Sequence, residues 1–298
     1  MRLLVTIPHY FRRSGPPGFY GSESGDAEAR IRQVTQCLAA LHQTFGHRQT
    51  LAATQHTQAN TTLAGTVDVV LVTNAADHLA DQLPRHLFVQ YAAELDPRHL
   101  GFLCHQILRE HAGRYDCYAY LEDDIEVTDP LFLHKLAWFS GTFGPNVLLQ
   151  PNRFELAHDL DVMKFYIDGN TTQPEIPARY QDTSVNPRLT AKAFGQGFVF
   201  ERVDNVHAGC FFLGPAQLAR ILALPGFGVP TDEFFGPLES AATLPLMQAF
   251  EVYKPARENA GFLEAQHLGR RFLYAKAPDS GPEPDLGPDP GPGSGPAA

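Results

Sequence analysis

Long apolar runs are missing from this sequence of 298 residues, and no stretch approaches the roughly 20 apolar residues of a membrane-spanning helix. The first residues, Met-Arg-Leu-Leu-Val-Thr-Ile-Pro-His, contain one basic residue and a short apolar-biased run that Pro8 ends. This run is too short for the core of a secretory signal peptide and favours a buried first strand. We therefore expect no transmembrane segment and a cytoplasmic location.

Cysteines and basic residues are also scarce. The four cysteines lie far apart and form no CxxC pair, so we expect buried free thiols in a reducing compartment; they are Cys37, Cys104, Cys117 and Cys210. Lys and Arg number 23 against 33 Asp and Glu, which gives a net charge of −10. Because binding to nucleic acid relies on a clustered cationic surface, this balance argues against nucleic acid as a partner.

What is present is the composition of a folded protein, with 44% hydrophobic residues. Short runs rich in Val, Ile, Leu and Tyr alternate with longer helical patterns, which is typical of a sheet covered by helices. We predict strands at 2–8, 67–73, 117–122, 146–150, 208–213 and 250–254, and helices at 26–45, 99–112, 130–140, 215–223 and 238–249. The region 151–206 has the composition of long loops around short strands. The predicted fold class is α/β, with a single Rossmann-like mixed sheet flanked by helices.

The C-terminal residues 278–298 hold seven prolines and five glycines, and Leu286 is their only large apolar side chain. Such a segment cannot bury enough apolar surface to offset the entropy of ordering itself. We predict a disordered tail.

The strongest local signal is a buried strand that leads directly into Glu122, Asp123 and Asp124, called the acidic triplet below. Three consecutive carboxylates at this point are costly without a compensating cation or exposure to solvent. A divalent metal such as Mg²⁺ or Mn²⁺ would compensate, because both prefer hard oxygen ligands. Alternation along an extended chain sends Glu122 and Asp124 to the same face. A solvated turn at the strand end is the alternative.

The run Leu121-Glu122-Asp123-Asp124 resembles the DxD-type motif of nucleotide-sugar glycosyltransferases with the GT-A fold. The resemblance extends over residues 1–275 in the order of the parts. It implies a metal-dependent enzyme that transfers a sugar from a nucleotide-diphosphate sugar, a UDP-sugar being favoured, to a hydroxyl acceptor such as a glycan. It also implies a GT-A-like division into a donor-binding half at 1–127 and an acceptor-binding, catalytic half at 128–277, followed by the tail.

In this resemblance the segment after the first strand cradles the nucleotide base, and the polar pair after the strand 67–73 contacts ribose or base. Two late arginines face the diphosphate, because guanidinium groups bind phosphate as a planar fork. The donor-binding residues implied are Pro8, His9, Tyr10, Arg12, Thr73, Asn74, Glu122, Asp123, Arg270 and Arg271. Ordinary core packing of the aromatic rings and a simple turn after the second strand are the alternatives.

The acidic segment that opens the helix predicted at 238–249 lies where inverting members of the family place the base that deprotonates the acceptor hydroxyl. The resemblance implies Glu239 in this role, with Asp232 and Glu233 as the next choices. In a retaining enzyme the same carboxylate would orient the substrate. Acidic residues also stabilise the start of a helix without any catalytic role, and this alternative stays open.

Enzymes of this family also recruit a late histidine to the metal. The resemblance therefore implies Asp124, Glu122 and His267 as ligands of Mn²⁺ or Mg²⁺. The cation would hold the donor diphosphate and neutralise the charge that develops as the sugar departs. An ordinary surface histidine is the alternative for His267.

Two other classes of protein stay open. One is another metal-dependent nucleotide-processing enzyme, a nucleotidyltransferase or a phosphohydrolase, although Ser14-Gly15-Pro16-Pro17-Gly18 lacks the spacing and the lysine of a phosphate-binding loop. The other is a non-catalytic sugar-binding protein with the same fold.

Overall fold

The computed structural model describes residues 1–12, 26–52, 57–157, 162–171, 173–270 and 272–273, and the tail predicted at 278–298 lies outside them. The helices are α1 Ala27–Phe45, α2 Leu100–Glu110, α3 Phe132–Phe143, α4 Pro215–Leu222 and α5 Pro237–Ala249. The strands are β1 Arg2–His9, β2 Thr50–Leu51, β3 Thr57–Gln58, β4 Thr66–Asn74, β5 Val89–Ala93, β6 Cys117–Leu121, β7 Ile125–Glu126, β8 Val147–Leu149, β9 Asn152–Leu156, β10 Lys164–Tyr166, β11 Arg188–Ala193, β12 Gln196–Arg202, β13 Cys210–Leu213, β14 Glu251–Pro255 and β15 Glu264–His267. Short 3₁₀ helices span Ala80–Gln82, Arg85–Leu87, Pro97–His99, Pro177–Arg179 and Arg257–Phe262.

The protein is a mixed α/β protein, as its sequence predicted, but its strands are divided among several sheets. The largest sheet has the order β13-β6-β1-β4-β5 and is called the main sheet below. Two four-stranded sheets have the orders β10-β9-β15-β7 and β11-β12-β14-β8, and β2 pairs with β3. Strands β9, β10, β11 and β12 lie in the region 151–206, where the sequence indicated long loops around short strands.

The main sheet brings three of the predicted strand ends to one edge. Strands β6, β1, β4 and β5 run parallel, and β13 runs antiparallel to β6. All of β1 except its first residue is buried, which is typical of a parallel strand covered on both faces. At the carboxyl end of β1, His9 lies opposite Thr73 of β4, while Glu122 directly follows β6. Ligands of α/β proteins bind at this edge.

Helix α1 carries a cation to the same edge. Asp26 caps the helix by accepting a hydrogen bond from the backbone N–H of Glu28, at 2.9 Å. The buried residues of the helix are Val34, Cys37, Leu38, Ala40, Leu41 and Phe45. Arg30 lies one turn before Val34 on the same side, because residues four apart share a helix face. Its guanidinium therefore reaches the acidic triplet.

A second sheet fixes a late segment of the chain beside the acidic triplet. Strand β15 lies between β9, to which it is parallel, and β7, to which it is antiparallel. The register places His267 opposite Ile125, and the backbone N–H of Leu268 donates to the Asp124 carbonyl at 2.8 Å. Residues more than 140 positions apart in the sequence are thus held side by side.

Two expectations from composition can be compared with the structure. The four cysteines are buried and free, as predicted. Within the described residues, no helix combines the length and the apolar character needed to cross a membrane.

Candidate functional site

The three carboxylates of the acidic triplet have different surroundings. Asp123 is buried and turns towards β1 and α1, where its Oδ2 lies 2.6 Å from His9 Nδ1 and its Oδ1 accepts a hydrogen bond from Arg30 Nη2. Burial alone would raise the pKa of Asp123, but the charge of Arg30 and the hydrogen bond from His9 more than offset it, so the pKa is lowered. Asp123 is therefore an ionised carboxylate whose counterion belongs to the chain itself.

His9 supports Asp123 from inside the protein. Its imidazole is fully buried, and Nε2 accepts a hydrogen bond from the backbone N–H of Leu79 at 3.0 Å. Because a backbone N–H can only donate, Nε2 carries no proton, and Nδ1 is the nitrogen that donates to Asp123. Both ring nitrogens are thus engaged within the protein, whereas the sequence suggested a contact with the nucleotide.

Asp124 and His267 face each other across the end of β6. Asp124 Oδ2 lies 3.7 Å from His267 Nε2 and 3.4 Å from Arg30 Nη1. On its other side, His267 Nδ1 lies 2.8 Å from Oε1 of the buried Glu155. When Nδ1 of a neutral imidazole donates to a carboxylate, the lone pair of Nε2 is left free to bind a cation. The side chains of Asp124 and His267 can therefore address one ligand between them.

Oxygen and nitrogen donors of this kind suit Mn²⁺ or Mg²⁺, which often take only one or two protein side chains and complete their shell with phosphate oxygens and water. Within the ranges given above, no group of three or more His, Cys, Asp or Glu side chains has the arrangement of a metal site. The Asp124 oxygen and the His267 nitrogen nevertheless match the donor types that such a cation takes. Glu122, which the resemblance implied as a third ligand, forms no three-residue cluster with them among the described residues.

Glu122 lies on the side of the triplet that faces β13 and α5. Its Oε1 is 3.8 Å from His207 Nε2, and its backbone N–H donates to the Gly209 carbonyl at 2.8 Å. Burial raises the pKa of Glu122 to about 8, and the nearby charge of Asp124 adds to the shift. Unlike Asp123, Glu122 therefore binds a proton near neutral pH unless a further cation is present.

Gly209 packs directly against the side chain of Glu122. Its φ is +62°, and a Cβ atom at this position would lie 2.8 Å from Glu122 Oε2 and 3.0 Å from Ile125 Cγ1. Both the left-handed backbone and the close approach of the carboxylate require glycine here. Gly209 is thus part of the wall of the site.

We expect Gly209→Ala to destabilise the fold and to displace Glu122. The matched control is Gly113→Ala, because Gly113 has φ +80° but its Cβ would meet no atom within 4 Å. The control measures the cost of the left-handed backbone alone, and Gly209→Ala adds overpacking of about 1–3 kcal/mol. Urea unfolding of both variants gives the difference. Equal costs would show that Glu122 moves freely away from position 209.

Of the predicted catalytic acids, the structure brings one to the triplet. Glu239 lies in the first turn of α5 and is partly buried, and its charge contributes to the raised pKa values of both Glu122 and Tyr120. Asp232 and Glu233 are exposed, and Glu233 accepts a hydrogen bond from the Tyr180 hydroxyl at 2.7 Å.

The polar pair after β4 is engaged in local structure. Thr73 is buried, and its Oγ1 accepts a hydrogen bond from Gln90 Nε2 at 3.0 Å. Asn74 Oδ1 accepts hydrogen bonds from the backbone N–H groups of Ala76 at 2.9 Å and Asp77 at 3.3 Å. This arrangement is an Asx turn that ends the strand, which agrees with the simple alternative given by the sequence.

The remaining donor-binding predictions lie at two ends of the chain. Pro8 is buried within β1, while Tyr10 and Arg12 are partly buried just beyond it. Arg270 is exposed after β15, and Arg271 lies outside the described residues. Tyr10 also packs against the apolar residues on one side of the main sheet.

Sequence reasoning missed Arg30, Glu155 and a buried charge network around Asp168. Asp168 Oδ1 accepts a hydrogen bond from Arg153 Nε at 2.9 Å, and Oδ2 accepts one from Lys254 Nζ at 2.7 Å. Of these residues, only Arg30 could have been identified from the sequence, because it is a cation on the apolar stripe of an amphipathic helix. The others lie on strands or loops whose pairing the sequence did not reveal.

Comparisons with known proteins add little to this geometry. No protein family and no curated protein matches the sequence. Among solved structures, one match is CMP-2-keto-3-deoxy-manno-octonic acid synthetase in complex with CTP, with 12% identity over 85% of this chain and 90% of that chain and a TM-score of 0.34. A likeness this weak supports no statement about function, so any assignment depends on the site itself.

Proposed function

We propose that this protein is a metal-dependent glycosyltransferase. Its donor is a nucleotide-diphosphate sugar, UDP-sugars being the first to test, and its acceptor is a hydroxyl group such as that of a glycan. The observation that carries the proposal is the contact between Asp124 and His267 at the carboxyl edge of the main sheet. The resemblance of the sequence implied that these two residues bind one metal, and the fold holds them 3.7 Å apart.

Asp124 Oδ2 and His267 Nε2 would hold Mn²⁺ or Mg²⁺, which leaves coordination positions for the donor diphosphate and water. When bound, such a cation stabilises the negative charge of the departing diphosphate. The cation would also add positive charge near Glu122, whose pKa burial and the charge of Asp124 raise to about 8 although the charge of Arg153 opposes the shift. Asp123, by contrast, is already paired with Arg30 and His9 and keeps the triplet in place.

Other residues are proposed for the remaining roles. Glu239, whose charge acts on Glu122, is the group that would accept the proton of the attacking hydroxyl. Arg12, Arg270 and Arg271 are the cations proposed for the phosphates. Pro8, Tyr10, Thr73 and Asn74 border the place proposed for the nucleoside.

A panel of nucleotide sugars tests this function. We expect release of a nucleoside diphosphate from one or a few of them, dependent on Mn²⁺ or Mg²⁺ and accelerated by a hydroxyl acceptor. A nucleotidyltransferase would instead release pyrophosphate from a nucleoside triphosphate. Release that depends on neither the donor nor the metal would refute the proposal, and binding of nucleotide sugars without turnover would favour a non-catalytic protein.

A further inference from the structure

Glu155 is a buried carboxylate to which the proposed function assigns no role. It lies on β9 with none of its surface exposed. The parallel register of β9 and β15 pairs Arg153 with Ala265 and Phe154 with Gln266, so the next pair along the two strands is Glu155 and His267. β15 is in turn hydrogen-bonded to β7 on its other side. The imidazole of His267 is thereby held between Glu155 and Asp124.

Glu155 accepts hydrogen bonds from three described donors late in the chain. Oε1 lies 2.8 Å from His267 Nδ1 and accepts a longer bond from the Phe272 N–H at 3.4 Å, and Oε2 accepts one from the Leu273 N–H at 2.9 Å. An ionised carboxylate is an acceptor at both oxygens, so it satisfies all three donors. One side chain thus joins the imidazole to the backbone that follows it.

Little room is left for the imidazole to turn. A Cβ atom on Gly269 would lie 2.6 Å from His267 Cε1, so the chain after β15 passes directly over the ring. The ring of Phe272 meets it edge-on, with centroids 5.5 Å apart. The ring plane is therefore held by packing, while the hydrogen bond from Nδ1 decides which nitrogen carries the proton.

We propose that Glu155 is the positioning residue of His267: it holds the imidazole proton on Nδ1, keeps the lone pair of Nε2 directed at Asp124, and anchors the backbone of Phe272 and Leu273 beside it. This inference rests on the proposed function only where it concerns the metal. The tautomer and the anchoring are properties of the metal-free protein.

Glu155→Gln tests the proposal because it keeps the shape of the side chain. The amide has one accepting oxygen for three donors, and its NH₂ group can only donate. The imidazole should then carry its proton on Nε2, so that Nδ1 can accept a hydrogen bond from the NH₂ group. A proton on Nε2 points at Asp124 and prevents Nε2 from binding a cation. Glu264→Gln is the matched control. Glu264 begins β15, the strand that ends at His267, but its carboxylate bonds Lys164 and Tyr166.

Nitrogen NMR of the metal-free protein reports the tautomer, with the His267 signal assigned by its loss in His267→Gln. We expect the Nδ1–H form in the wild type and in Glu264→Gln, and the Nε2–H form or a mixture in Glu155→Gln. Amide exchange at Phe272 and Leu273 should become faster in Glu155→Gln alone. A wild-type imidazole protonated at Nε2 overturns the proposal, even if Glu155→Gln fails to fold.

The proposed effect of Glu155 on metal binding is tested separately, by measuring the affinity for Mn²⁺ with electron paramagnetic resonance in the presence of UDP. We expect Glu155→Gln to weaken Mn²⁺ binding about 10–100-fold, as for other partners of metal-bound histidines, and Glu264→Gln to leave it unchanged. Unchanged affinity and tautomer in Glu155→Gln refute the positioning role. If neither the wild type nor Asp124→Asn binds Mn²⁺, the proposed function fails, while the tautomer and the amide exchange still decide the role of Glu155.

Discussion

Asp124→Asn is expected to lower the metal-dependent turnover of the best donor by at least about 10³-fold, because a metal that stabilises a departing diphosphate contributes several kcal/mol to the transition state. The amide keeps the size of the side chain but loses the charge and one accepting oxygen. Excess Mn²⁺ should not restore the rate, since the remaining ligand, His267, cannot hold the cation alone.

The same substitution should leave the fold intact. Asp124 is only partly buried. Its replacement loses the 3.4 Å ion pair with Arg30, which keeps Asp123 as its buried counterion, and removes a charge that raises the pKa of Glu122. We therefore expect the free energy of unfolding to stay close to the wild-type value. Asp123→Asn is the contrasting variant, because it leaves Arg30 without its buried counterion, a change that costs about 3 kcal/mol or more.

Urea unfolding and initial rates of diphosphate release, measured on both variants, separate the two roles. The expected pattern is an inactive but stable Asp124→Asn and a destabilised Asp123→Asn. An Asp124→Asn enzyme with wild-type rates would remove Asp124 from the chemistry and with it the proposed metal site.

The sequence predicted the elements whose apolar pattern is continuous. β1, β4 and β6 and all five helices lie within a few residues of their predicted bounds, because each contains a run long enough to show its period. The sequence did not predict separate bounds for β9, β10, β11 and β12. These strands are short and partly exposed, and they occur among Pro, Asn and Gly residues. Their identity comes from pairing with distant strands, which local composition does not encode.

The same distinction applies to the candidate site. The family resemblance of the acidic triplet implied that Asp124 and a late histidine share one ligand, and the structure holds Asp124 and His267 3.7 Å apart. The partners of each carboxylate were not predictable, because they depend on the register of β15 against β7 and β9. In the sequence, nothing distinguishes Glu155 from an ordinary strand residue. His9 was predicted to contact the nucleotide, and only the structure shows that its Nε2 accepts a hydrogen bond from the N–H of Leu79.

Asp168→Asn should be among the most destabilising single substitutions in the protein, with an expected loss of about 3–5 kcal/mol at pH 7. Asp168 is 1% exposed in its side chain, and the two cations that it pairs, Arg153 and Lys254, are 9% and 3% exposed. Removing the carboxylate charge leaves both cations in the interior with one neutral amide between them. Lys254 keeps its bond to the His207 carbonyl, at 2.8 Å.

Asp96→Asn is the matched control. The pKa of Asp96 is lowered to about 2 by hydrogen bonds from Arg98, and the pKa of Asp168 is lowered to about 2 although burial opposes the shift. The Asp96–Arg98 pair is exposed to solvent, so Asp96→Asn should cost much less than Asp168→Asn. Equal costs in urea unfolding would mean that the Asp168 network is as well solvated as the surface pair, contrary to its burial.

The pH dependence gives a second test of Asp168. Because its pKa is lowered in the folded protein, the carboxylate contributes stability that is complete above the pKa of the unfolded chain, about 3.9, and is lost as the pH falls towards about 2. A shift of this size corresponds to about 2–3 kcal/mol. The difference in stability between the wild type and Asp168→Asn should therefore be constant from pH 7 to about 5 and shrink by that amount below about 4. A difference that stays constant at low pH would show that the destabilisation comes from altered packing and not from the lost charge.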